Sequence, residues 1–147
     1  MNSYSKMPPA DRQRQIANIF VDHERHQIAH EAVRRFHMPV DDGLPRVGAI
    51  SAIVGDSRTG KTYAVDRYAQ QFERSVGETG VNIPVLTVDT PSQCSNIGLA
   101  LAFAEALGYP ATQKMSLAVL QKQIPAKIVE RNVQLIILDE AQEAFDP

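Results

Sequence analysis

The sequence has a single cysteine, Cys94, so no disulfide can form within the chain. A chain that does without disulfides suits a reducing compartment, and a cytoplasmic location is the expectation. Charge excess is also lacking, since the formal net charge is −2. No global basic field draws nucleic acid, and any DNA contact has to come from a local patch. No apolar run approaches the roughly 18 residues that a membrane-spanning helix needs. Residues 1–11 are polar and carry no apolar stretch, so they do not read as a signal peptide. Internal repeats and low-complexity tracts are missing too. What remains is 147 residues, 44% of them hydrophobic, which suffices for one domain with a real core.

Residues 10–37 read as helical. Ile16, Ile19 and Phe20 form one apolar cluster, and Ile28, Ala32, Val33 and Phe36 another, at helical spacing. Residues 38–46 contain Pro39, Gly43 and Pro45 and read as a linker. Residues 1–46 are therefore an N-terminal helical arm with its linker, and residues 47–147 a core. The core opens on an apolar, partly β-branched run, residues 47–54, of the kind found in buried parallel strands. Lys61, Val65, Tyr68, Ala69 and Phe72 then mark one face of a helix that stops near Gly77. A second strand is expected over residues 83–89, with Pro84 tolerable only near its start. Ser95 can cap a helix running to Leu107, closed by Gly108. Ser116 can cap another, in which Pro125 predicts a kink or break. Residues 135–138 are the third strand. Strands alternating with helices predict an α/β fold with a parallel sheet.

Between the first strand and its helix stands Gly55-Asp56-Ser57-Arg58-Thr59-Gly60-Lys61-Thr62. Every fixed position of the phosphate-binding pattern G-x-x-x-x-G-K-[ST] is filled. Glycines let successive backbone N–H groups converge on an anion. The helix opening at Gly60 adds the positive end of its dipole. Lys61 is expected to reach the β- and γ-phosphates and Thr62 to place its hydroxyl on Mg²⁺. Tyr63 follows in the first helical turn and is taken with the nucleotide-binding residues. The ligand implied is ATP or GTP. The third strand ends in Asp139 and Glu140. Asp139 would hold Mg²⁺ directly or through water, and Glu140 would orient and deprotonate the attacking water. An apolar strand that merely stops at an acidic turn looks the same; the phosphate loop upstream makes the pair meaningful.

These two motifs, extended to Ile53-Val54 before the first and Ala141-Gln142 after the second, resemble the TniB/TnsC group of AAA+ ATPases. The resemblance spans residues 10–147, including the helical arm and the Thr90-Pro91-x-x-Cys94 stretch. It implies a three-layer αβα P-loop core with a parallel sheet. It implies ATP and Mg²⁺ as ligands and hydrolysis to ADP and phosphate. It also implies assembly as a ring or filament on duplex DNA, with a transposase and a target-selection protein as partners. Lys61, Thr62, Asp139 and Glu140 match the family's nucleotide residues position by position. An AAA+ module would continue into a sensor strand, an arginine finger and a helical lid. This chain ends at Pro147, so the expectation is a core incomplete at its C-terminus, with a gap where a strand belongs between the first and third. Such a chain would bind ATP while turnover waits on a neighbour's finger. The alternatives are a helicase loader or remodelling ATPase, a non-catalytic ATP-binding switch, and a small-molecule kinase.

Other residues read less sharply. His23, His26 and His30 share one helical face, where a solvated surface is favoured over a metal site because no Cys or carboxylate pattern completes it. Arg25, Arg34 and Arg35 fit a surface role or DNA contact. The linker precedes the first strand where AAA+ proteins often wrap adenine. Thr90 reads as a turn residue or a sensor acting through Glu140. Gln113 and Lys114 lie in a loop that could face DNA. Cys94 reads as a small, partly buried residue, and Leu99, Phe103 and Leu107 as core.

Overall fold

The computed structural model describes residues 7–17, 19–21, 23–37, 48–77 and 80–145. The linker of residues 38–46 thus lies outside the described residues, apart from the question of where its ends attach. The architecture is mixed α/β around a two-stranded parallel sheet. β3 (Val85–Asp89) and β4 (Leu135–Asp139) pair in register from Val85↔Leu135 to Asp89↔Asp139. A separate antiparallel pair joins β1 (Ser75–Gly77) to β2 (Gly80–Asn82).

A parallel pair must be covered on both faces, because its alternating side chains are apolar on each. Val85, Leu135 and Ile137 point to one face, where they meet Val33 of α2 (Glu24–Phe36) and Val65 and Tyr68 of α3 (Lys61–Ala69). Leu86, Val88 and Leu138 point to the other. There they meet Phe103 of α4 (Asn96–Ala106), Leu107 just after it, and Ile124 and Ile128 of α5 (Leu117–Glu130). The expected core residues of α3, Val65, Tyr68, Ala69 and Phe72, all pack here.

The capping chemistry read from the sequence holds at both later helices. Ser95 accepts the N–H of Gly98 at 3.1 Å and Ser116 that of Val119 at 3.4 Å. Gly108 closes α4 at φ +66°, a conformation that a side chain resists. Pro125, by contrast, neither breaks nor ends its helix. α5 runs through it, forgoing only the bond that a proline cannot donate. Three further differences stand out. The arm is two helices, α1 (Pro9–Ala17) and α2, rather than one. α3 ends at Ala69, and residues up to Gly77 turn into the β1–β2 pair.

The largest difference concerns residues 48–54. They form no strand and lie exposed, with Ile50 wholly accessible and Val54 90% so. A strand requires backbone partners, and no third strand flanks β3 or β4 among the described residues. The three-layer expectation is thereby reduced to a parallel pair with helices on both faces.

On α2, Glu31 accepts two hydrogen bonds from Arg34, at 2.7 and 2.9 Å, and a longer one from Arg35. The Arg34 hydrogen bond brings the Glu31 pKa from 4.5 down to about 2. A depressed carboxylate contributes its stability above the unfolded pKa and loses it as pH falls through the folded one. The pair should therefore support α2 fully above pH 4.5 and lose its effect between there and about pH 2. In Arg34→Ala, carbon NMR of the Glu31 carboxyl should show its titration returning toward 4.5, and added salt should weaken the difference because the pair is exposed. In the core, Leu86 is fully buried. Leu86→Ala should cost roughly 2–5 kcal/mol in denaturant unfolding.

Candidate functional site

Residues 55–60 form an exposed turn that leads into α3. Arg58 and Gly60 both take left-handed φ, 62° and 86°. Gly60 stands at the N-cap of α3 and offers no side chain to obstruct an anion. Thr59 donates its hydroxyl to the Asp56 carbonyl at 2.8 Å, which closes the loop on itself. Lys61 folds back as well, its Nζ donating to the carbonyls of Gly55 at 2.9 Å and Asp56 at 2.8 Å. An ammonium held by two neutral carbonyls is one that phosphate oxygens can recruit, since charge-assisted bonds are the stronger. Residues 55–60 are exposed throughout, Ser57 included, as are Thr62 and Tyr63. Tyr63 lies nearly parallel to Phe20 of the arm, ring centroids 6.3 Å apart.

The second motif ends β4. Asp139 accepts the N–H of Glu140 at 2.9 Å, and Glu140 adopts φ 50°. The carboxylate of Glu140 takes a hydrogen bond from the Gln142 amide in the short 3-10 turn Ala141–Ala144. Thr90, at the end of β3, is buried and gives both its hydroxyl (2.7 Å) and its N–H (3.2 Å) to the Asp139 carbonyl. Glu143 accepts the Gln93 N–H at 3.3 Å. The loops that leave the two strands are thus tied together beneath Glu140.

The direction of α3 decides whether the two motifs meet. Burial raises the pKa of Asp66 on this helix, and the charges of Asp139 and Asp89 raise it further. Both of those residues end their strands, in register. Tyr68, half a turn later, reaches through His37 to Gln134, the residue before β4 begins. So α3 runs antiparallel to the strands. Thr62 lies one turn before Asp66 on α3, and the charges of Asp139 and Asp89 act on Asp66.

The oxygen donors of the two motifs suit a hard divalent cation. Thr62 supplies a hydroxyl and Asp139 a carboxylate, while the repulsion felt by Asp66 marks a surplus of negative charge. Among the described residues no three His, Cys, Asp or Glu side chains converge tightly enough to cage a metal alone.

With this geometry in place, comparison with known families becomes informative. The family model described as bacterial TniB protein matches residues 15–146. The chain belongs to the TniB family. Membership makes it a transposition-related protein of a P-loop NTPase type. Comparison with curated proteins gives no match. In this TniB chain no helix among the described residues is long and apolar enough to cross a membrane.

The histidine face of the TniB arm is only partly solvated, with His23 exposed and His26 and His30 half-buried. His23 caps α2 by accepting the Arg25 N–H at 3.1 Å. His26 packs edge-on to Phe20, and His30 edge-on to Tyr68. The Arg67 guanidinium sits 4.2 Å over the other side of this cluster, on the Phe20 ring. Gln113 lines a shallow groove with Leu101, Glu105 and Tyr109, and Lys114 is exposed. Cys94 is half-buried, as expected.

Sequence reasoning passed over Asp66, Asp89, His37 and Gln134. A signal existed for the first two. Asp66 follows Thr62 by four residues, hence shares its helical face, and Asp89 ends an apolar strand just as Asp139 does. None existed for His37, whose partners are distant in sequence. The Thr90 contact makes a testable statement. Thr90→Val removes one hydroxyl bond and should cost about 1 kcal/mol in global unfolding. Hydrogen exchange at the Glu140 amide should accelerate more than at Leu86.

Proposed function

We propose that this TniB-family chain binds ATP with Mg²⁺ through residues 55–63 and Asp139. Glu140 serves hydrolysis, and the protein assembles on duplex DNA to regulate a transposase. The observation that carries the reading is the placement of α3. This helix, which opens at Lys61, packs Val65 and Tyr68 with Leu135 and Ile137 of the strand that ends in Asp139, and that packing supports the reading.

Each group then has a task suited to its chemistry. Backbone N–H groups of residues 56–60, bent by the left-handed Arg58 and Gly60, cradle the phosphates. Lys61 leaves the Gly55 and Asp56 carbonyls for phosphate oxygens. Thr62 and Asp139 hold Mg²⁺, which neutralises charge on the phosphates. Glu140, fixed through Asp139, Thr90 and Gln142, accepts a proton from water. Residues 1–46 act as an arm and residues 47–147 as the nucleotide-binding core. Self-association as a ring or filament would supply the transition-state cation that the motifs described here do not include. A target-selection protein is the further partner.

Titration calorimetry tests the assignment. The unsubstituted chain should bind Mg·ATP, and Lys61→Ala should lose that binding. Glu140→Gln should retain binding and lose turnover; an unsubstituted chain that binds ATP without turnover would leave a binding-only switch as the better account, and turnover undiminished in Glu140→Gln would remove the role given to Glu140. On DNA, affinity should require nucleotide and fall steeply with salt as counterions are released. Full ATP-dependent DNA affinity in Lys61→Ala would sink the proposal.

A further inference from the structure

His37 is the residue that follows α2, and only 3% of it is exposed. Its backbone N–H bonds to the Val33 carbonyl at 3.0 Å, which ends the helix. Its ring is satisfied on both sides. Nδ1 lies 2.9 Å from the Tyr68 hydroxyl and Nε2 lies 3.0 Å from the Gln134 amide oxygen. An amide oxygen only accepts, so Nε2 carries the ring hydrogen and Nδ1 accepts from Tyr68. The Phe72 ring closes the site edge-on, with centroids 4.4 Å apart.

The three partners belong to three elements. Tyr68 is on α3, two turns beyond Lys61, and is itself 2% exposed. Gln134 immediately precedes β4, and its N–H is fixed on the Pro84 carbonyl at 2.9 Å. One imidazole therefore ties the helix that carries Lys61 and Thr62 to the strand that carries Asp139. Around this tie α3 shares an apolar cluster with the strands, Val65, Ala69 and Phe72 with Val85, Leu135 and Ile137. Such packing is non-directional and tolerates a small slide along the helix axis. Two directional bonds from a buried ring do not, because each broken one leaves a buried polar group unpaired.

We propose that His37, with Tyr68 and Gln134, is a positioning group that sets the axial register of α3 against β4. In that reading the register fixes how far Thr62 stands from Asp139. The proposal rests on the nucleotide reading above. Mg²⁺ accepts little departure from octahedral geometry, with ligands at about 2.0–2.1 Å, so a slip at the far end of α3 is felt at the metal. Phosphate binding by the loop alone depends on residues 55–62 and is insensitive to the same slip. The register thus governs the part of ATP affinity that Mg²⁺ adds, and leaves the rest alone.

The experiment is calorimetric titration of ATP into the full chain with Mg²⁺ and again with EDTA, well below the unfolding midpoint of each protein. Tyr68→Phe and Gln134→Leu keep the volume and remove one bond each; Gln134→Glu keeps an acceptor for Nε2–H. In the unsubstituted chain Mg²⁺ should tighten ATP binding. Tyr68→Phe and Gln134→Leu should lose roughly tenfold of that enhancement, as outer-shell changes at metal sites do. Their affinity in EDTA should stay within about twofold, and Gln134→Glu should behave as the unsubstituted chain. Variants that melt earlier but keep the whole Mg²⁺ enhancement would make the triad a structural tie and overturn the proposal. Equal losses with and without Mg²⁺ would overturn it too. An unsubstituted chain that binds no ATP in either buffer would remove the nucleotide reading itself, and the register role with it.

Discussion

Everything in this molecule is arranged around the burial of one parallel strand pair on both of its faces. Two strands of five residues expose a side chain alternately up and down, and here both sets are apolar. Water must be kept from both, so one helix layer is insufficient. α2 and α3 close one face through Val33, Val65 and Tyr68. α4 and α5 close the other around Leu86, Leu107 and Ile124. The position of the chemistry follows from that covering. An α-helix laid against Val85 and Ile137 brings its first turn to the end of the strands, where the polar residues begin. Asp89 and Asp139 share a register position because parallel strands align their ends.

How much of this was legible in the sequence depended on how local each signal was. The helix start after Gly60, the caps Ser95 and Ser116, the stop at Gly108 and the strands ending in Asp89 and Asp139 rest on neighbours within a few residues. All of them stand where the pattern placed them. Pro125 misled because a proline forfeits one hydrogen bond, while α5 is held by Leu120, Ile124 and Ile128 in the core. The run at residues 47–54 misled for a different reason. Its composition states that it can form a strand, and composition is silent on whether a partner edge lies beside it. The β1–β2 pair was missed because its six residues are too few to develop a period.

The arm illustrates how a polar pattern can conceal an interface. His23, His26 and His30 look like a surface stripe because histidine is often exposed. In the fold the latter two lie among Phe20, Tyr63 and Tyr68, and Arg67 rests on Phe20. Aromatic and imidazole edges pack well without being hydrophobic in any simple index. The N-terminal arm is consequently joined to the helix of the phosphate loop rather than tethered beside it. His37 extends the same seam to β4.

Backbone strain falls at the ends of elements. Four non-glycine residues have left-handed φ: Arg58, Gln93, Asn132 and Glu140. Asn132 sits in the turn between α5 and β4 and is a residue type that tolerates this conformation. Arginine, glutamine and glutamate are not, and each such residue costs of order 1 kcal/mol or more. Arg58 bends the phosphate loop, Gln93 turns the chain away from β3, and Glu140 turns it away from β4. Regular structure gains nothing from these bends, since each lies where an element has just ended or has yet to start. What they accomplish is local: the loop before α3 turns back on itself through Thr59 and Lys61, and Glu140 gives its N–H to the Asp139 carboxylate. A fold that needed only to bury its strand pair would place glycine or asparagine at such turns. Three unsuited residues held in strained turns, with a lysine folded back onto its own loop, are the backbone features that the proposed nucleotide site would put to use.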